Sequence, residues 1–198
     1  MKVEPITLSG RFVRLEPLCK EHAEGLLEAA SDPIIWKYLT VPQPATISEI
    51  KSWIETALSQ RDHLPFATIR QEDSKVVGST RYLDIRPFDK ALEIGWTWIG
   101  TEAQRTSVNT EAKFLMLRHA FEELGAERVQ LKTDAKNERS RNAIERIGAQ
   151  FEGILRSYQR YWHGAMRDTA MYSITAEEWP SVRTELERKL GQPSTSRA

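Results

Sequence analysis

The feature that most constrains this 198-residue chain is a change of hydrophobic period. Between Phe66 and Ile99 apolar residues recur at every second position, in Phe66–Ile69, Val76–Leu83 and Ala91–Ile99. This predicts three successive strands, the first two joined by a hairpin turn at Gln71–Lys75. Immediately downstream the spacing turns helical. Ala112, Leu115, Met116, His119, Ala120 and Phe121 share one stripe of a helix over Thr110–Leu124, stopped by Gly125. Alternation returns at once over Arg128–Thr133. Hairpins around a central strand-helix-strand unit make an α+β fold.

The flanks extend this pattern. Arg11–Leu18 alternates after a Ser9-Gly10 turn and reads as a strand, and Lys20–Ala30 places Ala23, Leu26, Leu27 and Ala30 on one helical face before Asp32-Pro33 ends it. Ile34–Ala45 carries Trp36, Tyr38 and Leu39 among Pro42 and Pro44, as expected of a loop or broken helix whose exposed aromatics line a pocket. Thr46–Ser59 is a second amphipathic helix with Ser48 as its cap. Ser140–Ile147 reads as a short helix ended by Gly148, and Gln150–Leu155 and Asp168–Ile174 as closing strands. No Gly- or Ser-rich linker divides the chain, so residues 8–175 form one domain, followed by a C-terminal helix over 176–190 and a disordered tail over 191–198.

Composition narrows the function classes. Lys plus Arg and Asp plus Glu both number 28, so no net field draws the chain to nucleic acid or an anionic membrane. The single cysteine, Cys19, excludes an internal disulfide, and no Cys or His cluster has zinc spacing; a reducing compartment and no metal are expected. The opening MKVEPITLSGRFVRLEPL lacks a signal-peptide apolar region, and no run reaches the roughly 18 apolar residues of a membrane span. The expected location is the cytoplasm.

Two local features carry chemistry. The strand ending near Ile99 passes through Gln104–Thr110 into a helix, so successive backbone N–H groups and the positive end of the helix dipole form an anion site suited to a pyrophosphate. The same stretch also reads as a plain polar loop with a Thr or Asn cap. Downstream, TDAKNERSRNAIERIGA places Asn137 and Ser140 either as an ordinary helix cap or as polar contacts to a ligand.

Taken together, EIGWTWIGTEAQRTSVNTEAKFLMLRHAFEELGAERVQLKTDAKNERSRNAIERIGAQFEGILR and the closing YWHGAMRDTAMYSI resemble the GCN5-related N-acetyltransferases (GNAT), and within them the ribosomal-protein N-terminal acetyltransferases. The resemblance spans Leu8–Thr175. It implies a mixed, mostly antiparallel central sheet, flanked by helices, that splays between its fourth and fifth strands, Ala91–Ile99 and Arg128–Thr133. It also implies acetyl-CoA as co-substrate and acetyl transfer to an amine acceptor. The family loop Q/R-x-x-G-x-G/A is met by Gln104, Ser107 and Asn109, so both glycines are replaced. Cofactor contacts are implied for Trp98, Ile99, Gln104, Arg105, Thr106, Ser107, Val108, Asn109, Thr110, Asn137 and Ser140, with Lys136, Arg139 and Arg141 considered for the 3′-phosphate.

An attacking amine of pKa about 8 to 10 must lose a proton. Glu93, on the strand bordering the acceptor cleft, is the candidate base, with a salt-bridged strand carboxylate as its plainer reading. Ser140 is the candidate donor to the departing thiolate. Trp36, Tyr38 and Tyr161 are candidates to wall the acceptor pocket, and a homodimer is an expectation of the resemblance. Against the active enzyme stands a noncatalytic acyl-CoA-binding regulatory module, motivated by the missing glycines.

Overall fold

The two periods set up a sheet covered on both faces by helices. The computed structural model describes residues 1–191; residues 192–198, nearly all of the expected tail, lie outside them. Eight strands form one sheet: β1 (Leu8–Ser9), β2 (Val13–Pro17), β3 (Leu64–Arg70), β4 (Val76–Arg86), β5 (Ala91–Ile99), β6 (Arg128–Asp134), β7 (Gln150–Arg160) and β8 (Met166–Thr175). Their spatial order is β1-β2-β3-β4-β5-β6-β8-β7. Every pair is antiparallel except β5 with β6, which run parallel with the helical crossover that such a connection needs. Strand β1 is an unpredicted edge, so the splay expected between the fourth and fifth strands lies between β5 and β6.

The core is divided by the sheet. On one face α1 (Ala23–Ala29) and α2 (Ile47–Ser59) bury Leu26, Ile50 and Ile54 against Ala67, Ile69 and Trp98. On the other face α3 (Ser107–Arg118) and α5 (Trp179–Lys189) cover Leu92, Ile94 and Val129, and α4 (Glu138–Arg146) adds Ile144. Trp36 departs from the expected exposure. It is 4% exposed, its Nε1 donates to the Ala30 carbonyl at 2.9 Å, and its ring lies 5.3 Å from that of Trp98.

Several boundaries move for identifiable reasons. Helix α2 is capped by Thr46 rather than Ser48, because Glu49 completes a reciprocal box: Thr46 Oγ1 accepts the Glu49 N–H at 3.2 Å while Glu49 Oε2 accepts the Thr46 N–H at 3.0 Å. Helix α3 starts at Ser107, three residues before the expected Thr110, with Thr106 as its cap. It ends in a π turn over His119–Glu123, and Gly125 follows at φ 66°. The closing strands outrun their predicted limits to Arg160 and Met166.

Helix α3 is fixed to the sheet by one carboxylate. Glu111 is fully buried and accepts the N–H groups of Arg11, Phe12 and Val13 at 2.9, 2.5 and 2.8 Å. Gly10 is required beside it, since a β-carbon there would lie 2.4 Å from the Glu111 carboxyl carbon.

Candidate active site

Strands β5 and β6 pair at only three positions: Ala91 with Arg128, Leu92 with Val129 and Glu93 with Gln130. Beyond Glu93 they diverge, and a cleft of about 440 Å³ opens between them. The cause is visible on β5. Between its pairings of Ser79 with Trp98 and Arg81 with Gly95, strand β4 uses one residue where β5 uses two, Trp96 and Thr97. Trp96 takes φ 50° in this bulge, an uncommon conformation for a bulky side chain. The β6-facing backbone edge from Ile94 to Ile99 therefore has no strand partner. Buried side-chain atoms are orphaned here as well: among the described residues Trp98 Nε1 and Asn109 Oδ1 have no hydrogen-bond partner, and both residues line the cleft. Unpaired polar groups in such a place suit a ligand rich in amides and hydroxyls.

At one end the cleft meets the start of α3. Thr106 Oγ1 accepts the Val108 N–H at 3.3 Å and donates to the Ala103 carbonyl at 2.7 Å. Ser107 and Asn109, the residues at the replaced glycine positions, lie within the helix, and the left-handed conformation falls on Arg105 at φ 62°. Replacing the glycines therefore changes side chains and leaves the backbone path unstrained. The first turn holds no acidic residue, while Arg105, Arg139 and Arg146 line the cleft around it. Gln104 ties the loop together, its Nε2 donating to the Ile99 carbonyl at 2.8 Å and its Oε1 accepting from Arg139 Nη1 at 2.9 Å. Helix dipole and guanidinium charge converge there on a place for phosphate.

Of the loop candidates, Gln104, Arg105, Thr106 and Asn109 line the cleft; Ser107 and Thr110 stand outside its wall, and Val108 is in the core. Lys136 faces a second, smaller cavity and Arg141 donates to the Tyr172 hydroxyl at 2.9 Å, so Arg139 alone of the three basic candidates reaches the cleft. Asn137 caps α4, its Oδ1 accepting the Ser140 N–H at 3.1 Å, and both residues line the cleft.

Glu93 sits where the strands part. It is 1% exposed, and its Oε2 lies 2.8 Å from Lys132 Nζ. Burial raises its pKa above the ordinary carboxylate value, and Lys132 opposes part of that rise. Lys113, also lining the cleft, is buried on α3, its Nζ donating to Thr80 Oγ1 at 3.0 Å and Thr97 Oγ1 at 2.5 Å. Burial pushes its pKa down to about 7.

The far end is framed by Tyr38, Leu39 and Thr40 from the loop before α2, and by Lys132, Gln159 and Arg167. Trp36 stands behind this wall, packed on Trp98. Tyr161 lines the second cavity, of about 180 Å³, where its hydroxyl donates to the Asp134 carboxylate and its pKa is pushed up to about 12 by burial and that bond. Sequence reading passed over Lys113, Lys132 and Arg167. Lys113 had a signal, a lysine three residues from Met116 on a helix face otherwise apolar. The other two lie on strands whose facing partners are remote in sequence, and no local pattern marks them. Among the described residues no group of three His, Cys, Asp or Glu side chains is placed to hold a metal ion, and no helix is long and apolar enough to cross a membrane.

Comparison with known proteins adds kinship to this geometry. A family model described as the acetyltransferase (GNAT) domain matches residues 13–150. A GCN5-related N-acetyltransferase from Brucella melitensis is 34% identical, with a TM-score of 0.91 over 95% of this chain and 86% of that one. A candidate acetyltransferase from T. thermophilus is 38% identical, with a TM-score of 0.89 over 96% of this chain and 100% of that one. RimJ of Mycobacterium smegmatis, solved in complex with CoA-disulfide, shares the fold at 21% identity and a TM-score of 0.81, covering 95% and 96% of the two chains. No curated protein sequence matches. With the fold and a third of the sequence shared along nearly the whole chain, the protein belongs to the GNAT acetyltransferase family.

Proposed function

We propose that the protein transfers an acetyl group from acetyl-CoA to a primary amine, a protein N-terminus or a small-molecule amine, by direct attack within a ternary complex. The observation that carries this reading is the unpaired β5 edge from Ile94 to Ile99, opening onto the acid-free N-terminus of α3. Acetyl-CoA, when bound, supplies the acyl group as a thioester. The free N–H and C=O groups of β5 would take the amides of the pantetheine arm, with Asn109 Oδ1 and Trp98 Nε1 as further partners. Backbone N–H groups of the first turn of α3, with Arg105 and Arg139, would hold the phosphates. Main-chain donors near Trp98 and Ile99 would face the acyl oxygen.

Glu93 receives the proton of the attacking amine, burial raising its pKa toward that task while Lys132, 2.8 Å away, favours its charged form. Ser140, at the start of α4 and also lining the cleft, donates to the departing thiolate. The lone cysteine lies outside the cleft, its Sγ 3.2 Å from His22 Nδ1, which favours direct transfer over an acyl-enzyme. We also group the chain with the ribosomal-protein N-terminal acetyltransferases and their relatives, on its sequence resemblance, and place it in the cytoplasm, on its single cysteine.

Calorimetric titration with acetyl-CoA, followed by thiol release against a panel of amines and N-terminal peptides, tests the reading. Saturable binding with amine-dependent thiol release is the expected result. Binding without release would replace the enzyme with an acyl-CoA-binding regulatory module, and absence of binding would remove the cofactor assignment altogether.

A further inference from the structure

The acceptor end of the cleft is lined by more cations than carboxylates. Glu93 is the only carboxylate lining the cleft among the described residues, whereas Lys132 and Arg167 line the same end. Arg167 extends one nitrogen, Nη1, to the Tyr38 carbonyl at 2.9 Å and sets Nε 3.4 Å from Thr169 Oγ1, leaving Nη2 without a partner among the described residues. Burial lowers its pKa, and Glu93 and Asp134 are near enough to oppose that fall.

Behind this wall stands a charge with no counter-ion. Arg81, 3% exposed, lies between two indole rings, 4.7 Å from the centroid of Trp96 and 5.5 Å from that of Trp53. Its only side-chain hydrogen bond among the described residues is from Nη1 to His63 Nδ1 at 3.2 Å, and its Nε is buried without a partner. No carboxylate of the described residues pairs with it. Burial alone pushes its pKa down to about 10, with no nearby anion to offset the effect. Cation–π contact with two rings recovers part of the lost hydration, but a buried guanidinium without an anion is costly and projects a positive potential past Trp96, which lines the cleft. A positive potential at a cleft favours an incoming anion.

We propose that the acceptor amine carries a carboxylate, as a free amino acid does, which seats against Arg167 and Lys132 while the amino group faces Glu93. This inference rests on the acyl-transfer reading of the cleft and names its acceptor. The arrangement suits a small zwitterion: Glu93, Lys132 and Arg167 all line the cleft, and Lys132 Nζ lies 2.8 Å from Glu93 with further N–H groups to share. With Nη1 and Nε engaged, Arg167 keeps its Nη2 N–H groups for a carboxylate, a fixed, always charged donor that a lysine copies only in part.

The test uses the full chain and compares N-acetyl amino acids with the matching N-acetyl amino acid amides by isothermal titration. The same comparison is then made for turnover, free amino acids against their amides in the thiol-release assay. We expect the carboxylate form to bind at least about tenfold tighter for one or more side-chain classes, the size of a charge-assisted pair in a shielded site. Arg167→Gln should reduce that preference to about threefold or less, and Arg167→Lys should restore part of it, which a variant that merely misfolds would not do. Amides that bind as well as acids across the panel, or binding of neither form, would overturn the proposal. An acetyl-CoA titration on the same sample separates the two failures: if acetyl-CoA binds and the carboxylate gives no advantage, only the acceptor class falls; if acetyl-CoA does not bind, the acyl-transfer reading falls and takes the acceptor with it.

Discussion

Glu93 and Lys113 line the same cleft, and burial shifts both in the direction that favours the neutral form. For Glu93 the shift is upward, so the base is lost to protonation at a pH above the ordinary carboxylate range. Activity should rise with pH as Glu93 ionises. Glu93→Gln should lower kcat/KM by about 10² to 10³ and erase that acidic limb, as the loss of a positioned base does; a pH–rate profile that keeps the limb would show that another group carries it. For Lys113 the shift is downward, to about 7 from an ordinary value of 10.5. The unfolded chain then binds more protons than the folded one between these values, so stability rises with pH across that window and stays flat below it. The full penalty, on the order of a few kcal/mol, is present below about pH 7. Lys113→Met should flatten this slope in thermal melts taken from pH 7 to 10, and an unchanged slope would assign it elsewhere.

Helix α3 is the element on which the site depends, and its placement comes from a contact outside the cleft. The Glu111 carboxylate gathers three backbone N–H groups at the start of β2, locking the helix against the sheet. Glu111→Ala strands those donors in a buried place and should cost about 2 to 4 kcal/mol in denaturant unfolding. Gly10→Ala should cost a comparable amount, since its methyl group enters the space of the same carboxylate. Both variants should also weaken acetyl-CoA binding, because the anion site travels with the helix end. Such elements were legible in the sequence where local chemistry decides them. Alternation located β5 to the residue, and Asn137 announced the start of α4. Legibility failed where two local options competed. Ser107 and Asn109, aligned with family glycines, read as loop, but Thr106 offers a cap and starts the helix earlier. Ser48 reads as the cap of α2, but Thr46 takes that role because Glu49 stands three residues on and completes the box. The meeting of Glu93 with Lys132 was not legible at all, since it depends on how two strands diverge after three pairings.

Taken as a whole, the molecule is two half-sheets joined along a short seam. Strands β1 to β5 and β6 to β8 meet through three residue pairs, with helices packed on each side. A ligand lying in the opening would touch both halves and substitute for the missing ladder. Acetyl-CoA at about 100 times its dissociation constant should therefore add about 2.7 kcal/mol to the stability. For a chain of this length that is a rise of roughly 5 to 10 °C in Tm, read by scanning calorimetry. Hydrogen exchange should slow at the same time along Ile94–Ile99, and a rise in Tm without protection there would place the ligand elsewhere. The packing that closes one face of this seam has an optical consequence. Trp36 and Trp53 bring their rings within 5.3 and 5.9 Å of Trp98, and Trp98 lines the cleft. Light absorbed by any of the three can pass to the others, so the emission of the cluster reports on the one indole that a bound molecule touches. The protein thus contains its own fluorescent gauge of occupancy, built from core residues and in need of no added dye.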